Sequence, residues 1–457
     1  MKKLICAILV IATLLAITVP AMAVSAASSD PLVYDMETEL RWMGRTYYRQ
    51  KMHFFNWSCA GFEFCFKGSG ATAKIYSDAP GGKHTAYIKI YIDGVEQPDV
   101  ALTTYRQDVV LAKDLDPNVE HTVKVVKRTN ARSSMAALMS LTLHDGEKLP
   151  PPKDSPRYIE FIGDSLTVGY STVPLPGQKE WTTAGEDATK TYNEPAAKAF
   201  FADYSVVAIS GRGIVRNGGG DTDKLLSFIY DYVDQYNNPN VKYKFERQPD
   251  VIVINLGEND AASANNDLSS AEFKAGFKKF ILNVRAKNPK AEILYTYGLT
   301  DTKFSREMKE VITQLRNDGD EHISYTQLRY CYDSERIVNH PTYEAYQKRA
   351  QTIIDLIAEA TGWVPYDESD LNKPKEPEET TPVETTPAAT TPAETTPVET
   401  DPTEPTDTTP ATPDVTEPSD TEILVDSGCG SALLPMTLVC ILPAASMALI
   451  KKKKNDQ

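Results

Sequence analysis

Gly163-Asp164-Ser165-Leu166 follows the apolar run Tyr158-Ile159-Glu160-Phe161-Ile162 and precedes a predicted helix. A serine at such a strand-to-helix turn has its hydroxyl exposed above the sheet edge. Its own N–H and the helix N-terminus then face whatever oxyanion forms there, which is the geometry of a nucleophile. Alone, Gly-Asp-Ser reads equally as a turn with a helix cap. Two further strand ends supply donors. Ile209-Ser210-Gly211-Arg212-Gly213 offers backbone N–H groups unobstructed by side chains, and Asn255-Leu256-Gly257-Glu258-Asn259-Asp260 offers an amide side chain beside a glycine turn. An oxyanion hole needs donors aimed where charge develops, and the Ser165 N–H, the Gly211 N–H and the Asn259 amide make three.

A serine hydroxyl is a weak nucleophile until a base accepts its proton. Of the six histidines, His53, His84, His121 and His144 fall in an N-terminal β-rich stretch, which leaves His322 and His340. His340 precedes Pro341 at the start of the last predicted helix, in the terminal βα loop, and is the expected base. No His/Asp/Cys cluster has metal spacing, and Asn217-Gly218-Gly219-Gly220 lacks the Lys-Ser/Thr of a phosphate-binding loop. Neither metal nor cofactor is expected. Arg212, Arg216, Trp181, Tyr330 and Tyr332 are secondary candidates for contacts at the rim, since loop aromatics are more often packing residues.

These residues need elements to place them. Over residues 30–148 short alternating strands, among them Gly61-Phe62-Glu63-Phe64-Cys65-Phe66 and His121-Thr122-Val123-Lys124-Val125-Val126, are separated by Asp-Gly and Pro/Gly turns, which predicts a β-sandwich. Pro150-Pro151-Pro152 and Pro156 then predict a short, stiff hinge. Over residues 157–363, apolar β-branched runs at 158–162, 205–209, 251–256 and 293–297 alternate with helical stretches such as 271–286 and 341–360. Continuous apolar strands are buried on both faces, so this region is predicted to be an α/β domain with a doubly wound parallel sheet that takes ligands at the carboxyl ends of its strands. Residues 374–422 form a Thr-Thr-Pro-x-Glu repeat without aromatics, too poor in apolar area to offset its ordering entropy, and are expected to be a disordered stalk.

The four segments Gly163-Asp164-Ser165-Leu166, Gly211, Gly257-Glu258-Asn259-Asp260 and His340-Pro341 resemble the four blocks of the GDSL, or SGNH, hydrolases. The resemblance implies a flavodoxin-like esterase in which Ser165 is the nucleophile, Gly211 and Asn259 serve the oxyanion hole, and His340 is the base. With a sandwich, jelly-roll-like, placed ahead of it, the arrangement resembles carbohydrate esterase family 2, whose members remove acetyl groups from plant-wall polysaccharides. The family pattern usually has an aspartate two or three residues before the histidine, where this chain has Val338 and Ile337. A backbone carbonyl can fix the imidazole tautomer as well as a carboxylate can, so the chain is expected to work as a Ser-His dyad, with Asp333 and Glu335 as the acids that would otherwise swing in.

The formal net charge of −15 looks strongly acidic, but fourteen acids between Glu376 and Asp426 lie in a stretch without Lys or Arg, and removing them leaves −1. A near-neutral body has no cationic face to release counterions from phosphates, so nucleic acid is not an expected partner. Lys2-Lys3, the apolar run 4–19 and Ala21-Met22-Ala23 read as a signal peptide over residues 1–23. Residues 433–450 are apolar for about 27 Å of helix and end in four lysines, which predicts a membrane helix with its lysines inside and an extracellular, surface-anchored head. Leu434-Pro435-Met436-Thr437 resembles the start of a sortase motif, with Leu438 in place of its glycine. Cys59, Cys65 and Cys331 are expected as buried free thiols. The expected substrate is an acetylated polysaccharide such as xylan or mannan. The alternatives are an esterase for bacterial wall or capsule glycans and a non-catalytic glycan-binding adhesin.

Overall fold

Phe62, Phe64 and Phe66 alternate along the strand Gly61–Lys67, all fully buried, with successive ring centroids 6.4 and 5.7 Å apart. In the computed structural model, which describes residues 32–175 and 180–366, this strand lies in a seven-stranded antiparallel sheet with Glu120–Lys127 and Ala86–Ile92. A six-stranded antiparallel sheet, with Ala71–Tyr76 and Ala137–Leu143 at its centre, contributes Ala73, Ile75, Leu138 and Leu141 to the same core. The period-two alternation therefore produces the β-sandwich that it predicts.

The α/β region is built on β1 (Tyr158–Gly163), β2 (Asp203–Ala208), β3 (Val251–Asn255), β4 (Glu292–Tyr297) and β5 (Ile323–Gln327), all parallel, in the order β2-β1-β3-β4-β5. This is a doubly wound, flavodoxin-like order. Alternate residues of one strand enter opposite cores. Ile252 and Ile254 meet Phe273, Phe277 and Ile281 of α2 (Ser270–Lys287) and Met308 and Ile312 of α3 (Ser305–Asn317). Val251 and Val253 share the other core with Ala196 of α1 (Asn193–Ala199) and with Tyr346, Ala350 and Ile353 of α4 (Tyr343–Thr361). Burial on both faces explains why these strands read as unbroken apolar runs. The chain switches direction across β1, whose neighbours are β2 and β3, so the ends of those three strands border one crevice.

The predicted hinge does not separate two independent bodies. Arg45 of the sandwich is 1% exposed, donates to Glu160 of β1 at 3.2 Å and lies over the Tyr243 ring at 4.1 Å. Trp57 donates to the Val233 carbonyl at 2.7 Å, and Arg41 pairs with Asp203 at 2.8 Å. Removing one partner of a buried ion pair such as Arg45–Glu160 strands a charge, so sandwich and α/β region hold a fixed relation and form one compact unit. The proline segment is itself fastened, with the Ser155 N–H donating to Asp203 at 2.8 Å.

Cys59, Cys65 and Cys331 are buried and free, as expected. The signal peptide at 1–23, the stalk at 374–422 and the membrane helix at 433–450 all lie outside the described residues. Among the described residues no helix is long and apolar enough to cross a membrane.

Candidate active site

Gly163 ends β1 where no side chain fits: a Cβ there would lie 1.8 Å from Thr167 Oγ1 and 2.8 Å from the Asn255 carbonyl. The chain then turns, but not into the predicted helix. The N–H groups of Thr167 and Val168 both donate to the Asp164 carbonyl at 3.1 Å and that of Tyr170 to the Ser165 carbonyl at 3.1 Å, after which Gly169, at φ +71°, stops the winding. The Asn193 side chain takes the Thr167 carbonyl at 2.8 Å, so a single turn is locked by tertiary contacts, and α1 begins only at Asn193. No helix dipole therefore lies behind Ser165.

His340 reaches the serine from the other end of the α/β region. Arg336–Ile337 pairs antiparallel with His340–Pro341, and the two residues between, Val338 and Asn339, have φ of +50° and +62°, the pattern of a type I′ hairpin turn. The turn aims the Val338 carbonyl at His340 Nδ1, 2.8 Å away, and Nε2 lies 2.8 Å from Ser165 Oγ. With Nδ1 donating to a carbonyl, Nε2 is left as the acceptor for the serine proton. Burial holds the imidazole below the ordinary histidine value; the Val338 carbonyl works against this and the Arg336 cation reinforces it. The ring also packs on Tyr170, centroids 4.2 Å apart, and Tyr170 stacks on Trp181 at 5.3 Å. Asp333 and Glu335 do not approach the imidazole. Glu335 binds Arg349 through both oxygens at 3.1 Å, and Arg349 holds its carboxyl down at about 2.

The three expected donors converge less evenly. Gly211 has φ +79°, and among the described residues neither its N–H nor that of Ser165 has a protein acceptor. The Asn259 amide, by contrast, already donates to Asp164 Oδ2 at 2.9 Å and to the Arg212 carbonyl at 3.0 Å. In the resting protein Asn259 therefore braces the serine turn against the Gly211 loop. Asp164 also accepts from the Leu166 N–H at 3.0 Å, and burial pushes its carboxyl up to about 7. Neighbouring Glu258 is raised to about 8, first by burial and then by the charge of Asp164.

A family model for the carbohydrate esterase 2 N-terminal region matches residues 42–152, and one for the GDSL-like lipase/acylhydrolase family matches residues 161–367. An acetylxylan esterase/glucomannan deacetylase of Cellvibrio japonicus is 32% identical over 284 residues, which cover 58% of this chain and 74% of the relative. The chain belongs to carbohydrate esterase family 2. The cellulase/esterase CelE of Acetivibrio thermocellus is 28% identical over 315 residues, and the match spans 67% of this chain but only 38% of CelE. A family two carbohydrate esterase from Clostridium thermocellum, solved in complex with cellohexaose, superposes with a TM-score of 0.66 at 25% identity, covering 71% of this chain and 99% of that one.

In this family 2 esterase two neighbours of the site were given no role of their own by the sequence. Val338 contributes a backbone atom, which no side-chain pattern reports. Asp260 accepts from the N–H groups of Ile214, Val215 and Arg216 at 2.8, 2.7 and 2.8 Å and so shapes the loop after Gly211. Its place in Gly257-Glu258-Asn259-Asp260 was the available signal. Of the secondary candidates, Trp181 joins the wall beside His340, whereas Arg216 pairs with Glu272 at 3.1 Å and Arg212 donates to the Asp223 carbonyl and to Tyr236. Tyr330 and Tyr332 form an exposed edge-to-face pair. Among the described residues no group of His, Cys, Asp and Glu has the arrangement of a metal site.

Proposed function

We propose that the protein is a serine esterase that removes O-acetyl groups from plant-wall polysaccharides of the xylan or mannan type outside the cell. The observation that carries this reading is the chain of contacts from the Val338 carbonyl through His340 to Ser165 Oγ, each 2.8 Å. Ser165 Oγ attacks the acetyl carbonyl while His340 Nε2 takes its proton, and the Val338 carbonyl steadies the imidazolium that forms. The tetrahedral oxyanion meets the free N–H groups of Ser165 and Gly211, and the Asn259 amide joins them by turning one of its bonds from protein to substrate. His340 returns the proton to the sugar oxygen, which leaves. Water, activated by the same imidazole, then releases acetate from the acyl-serine.

The substrate class is supported by the names of the relatives, an acetylxylan esterase/glucomannan deacetylase and a cellulase/esterase. The export signal read at residues 1–23 and the apolar segment at 433–450 support an extracellular, membrane-anchored enzyme. Acetate release from acetylated xylan and glucomannan, beside O-acetylated bacterial wall glycan, tests the reading. Release from the plant polymers by the wild type and none by Ser165→Ala is expected. Release from the wall glycan alone moves the substrate to the bacterium's own envelope, and glycan binding without release by the wild type makes the site an adhesin.

A further inference from the structure

One side chain at the catalytic centre comes from the sandwich. Arg132 Nη1 donates to the Ser210 carbonyl at 3.3 Å, and it lies 3.3 Å from where a Cβ on Gly211 would stand. The Ser210 carbonyl and the Gly211 N–H belong to one peptide group, so the bond that Arg132 makes to the oxygen acts on the donor at the other end. In a trans peptide these two groups point in opposite directions, and fixing one fixes the other. The neighbouring peptides are held, with the Arg212 N–H donating to the Ile209 carbonyl at 3.3 Å and the Gly218 N–H to the Gly211 carbonyl at 3.0 Å, but the Ser210–Gly211 peptide between them has no backbone partner among the described residues, and glycine at φ +79° lets it rotate at small steric cost. A flip of this peptide would replace the donor at the hole by a carbonyl oxygen, which repels an oxyanion. A cationic donor on the oxygen also draws density from the nitrogen and strengthens the N–H, through the polarisation that links hydrogen bonds in series.

Arg132 is exposed, but its backbone is anchored from both sides. Its N–H donates to Asn130 Oδ1 at 3.0 Å, and the Asn130 N–H donates to Glu186 Oε2 at 3.0 Å. The adjacent Arg128 donates to the carbonyls of Glu186 and Ala184, and Lys127, fully buried, ties the Thr129 and Asn130 carbonyls at 2.8 and 3.1 Å. The sandwich loop is thereby fastened to the α/β region a few residues from the Trp181 wall. Beside Gly211 the guanidinium borders a hollow of about 400 Å³ that Arg212, Asn217, Asp221 and Asp223 also line.

We infer that Arg132 is a positioning residue for the reaction: the sandwich domain reaches across to hold the Ser210–Gly211 peptide with its N–H toward the oxyanion. The inference rests on the esterase reading above and adds to it that the catalytic centre is incomplete without the sandwich. The test compares full-length wild type, Arg132→Met and Arg132→Lys on 4-nitrophenyl acetate, a small ester with no sugar to contact, together with thermal unfolding. Arg132→Met is expected to lower kcat about tenfold with KM within twofold and the unfolding midpoint unchanged, with Lys restoring part of the loss. In Arg132→Gly, added guanidinium at millimolar concentration should raise kcat while leaving the wild type unaffected. Wild-type kcat on the small ester in Arg132→Met, with a loss only in KM for acetylated xylan, overturns the inference and makes Arg132 a sugar contact. Absence of Ser165-dependent hydrolysis in the wild type overturns the esterase reading, and this inference with it.

Discussion

Replacing Asn259 by alanine separates the bracing contacts of its amide from the proposed role of that amide at the oxyanion. At rest its nitrogen donates to Asp164 Oδ2 at 2.9 Å and to the Arg212 carbonyl at 3.0 Å, and in the transition state one of those bonds is expected to serve the oxyanion. Loss of one oxyanion donor costs about 10²–10³ in turnover, or about 2.7–4 kcal/mol of transition-state stabilisation. The ground state loses something different, because Asp164 is fully buried and Oδ2 is left without a donor, at about 1–3 kcal/mol. Protonation of Asp164, whose carboxyl already titrates near 7, recovers part of that, so the destabilisation should be larger at pH 8 than at pH 6. Steady-state hydrolysis of 4-nitrophenyl acetate and thermal unfolding of Asn259→Ala at both pH values read the two effects separately. A midpoint lowered by a few degrees together with a turnover loss of at least about a hundredfold is the expected result. A lowered midpoint with turnover reduced less than about threefold would mean that Asn259 only braces the loops, and the three-donor hole would be refuted.

Asp333→Asn and Glu335→Gln should each leave kcat within about threefold of wild type, since neither acid touches His340; a loss near 10⁴ in either shows that a carboxylate orients the imidazole in solution. The acid limb of kcat/KM should have its midpoint below the ordinary histidine value of 6.5, because burial disfavours the imidazolium and the enzyme loses its base only when that lowered pKa is crossed; a midpoint at or above 6.5 contradicts this. Asp164, Glu186 and Glu258 are raised by burial to about 7, 7 and 8, so their protonated forms are favoured by folding, and the stability they contribute is present at low pH and lost as pH rises through those values. The unfolding midpoint is therefore expected to be lower at pH 8 than at pH 6.5, and an equal or higher midpoint at pH 8 would show that these carboxyls are not buried as described.

The parts of the architecture that read directly from sequence are those in which one residue's burial is decided by its neighbours along the chain. Val251-Ile252-Val253-Ile254 must be buried on both faces, and Phe62, Phe64 and Phe66 on one, so the parallel sheet and the sandwich follow from periodicity. Ser165 and His340 were legible because each sits at a strand or helix end with distinctive flanking residues. The turn after Ser165 was not, since Asn193 and Gly169 stop a helix there through tertiary contacts made from elsewhere. The Val338 carbonyl was foreseen only as a kind of partner, because any residue supplies a carbonyl and the hairpin that aims it lacks the Asn-Gly pair usual for its positive φ values. Arg132 had no local signal: it lies in the sandwich, and only the docking of the two regions brings it to Gly211. The proline run marked the connector between the two regions, but stiffness of a connector is local, while the Arg45–Glu160 and Trp57–Val233 contacts that fix the two regions are not.

The central claim is that Ser165 is a nucleophile activated by His340. Labelling of the full-length protein with a fluorophosphonate, followed by peptide mass spectrometry, tests it most directly, since phosphonylation needs an activated hydroxyl and no particular sugar. The expected result is a single adduct on Ser165, absent in Ser165→Ala and formed far more slowly in His340→Ala. An unlabelled wild type, or an adduct that persists in Ser165→Ala, would contradict the account.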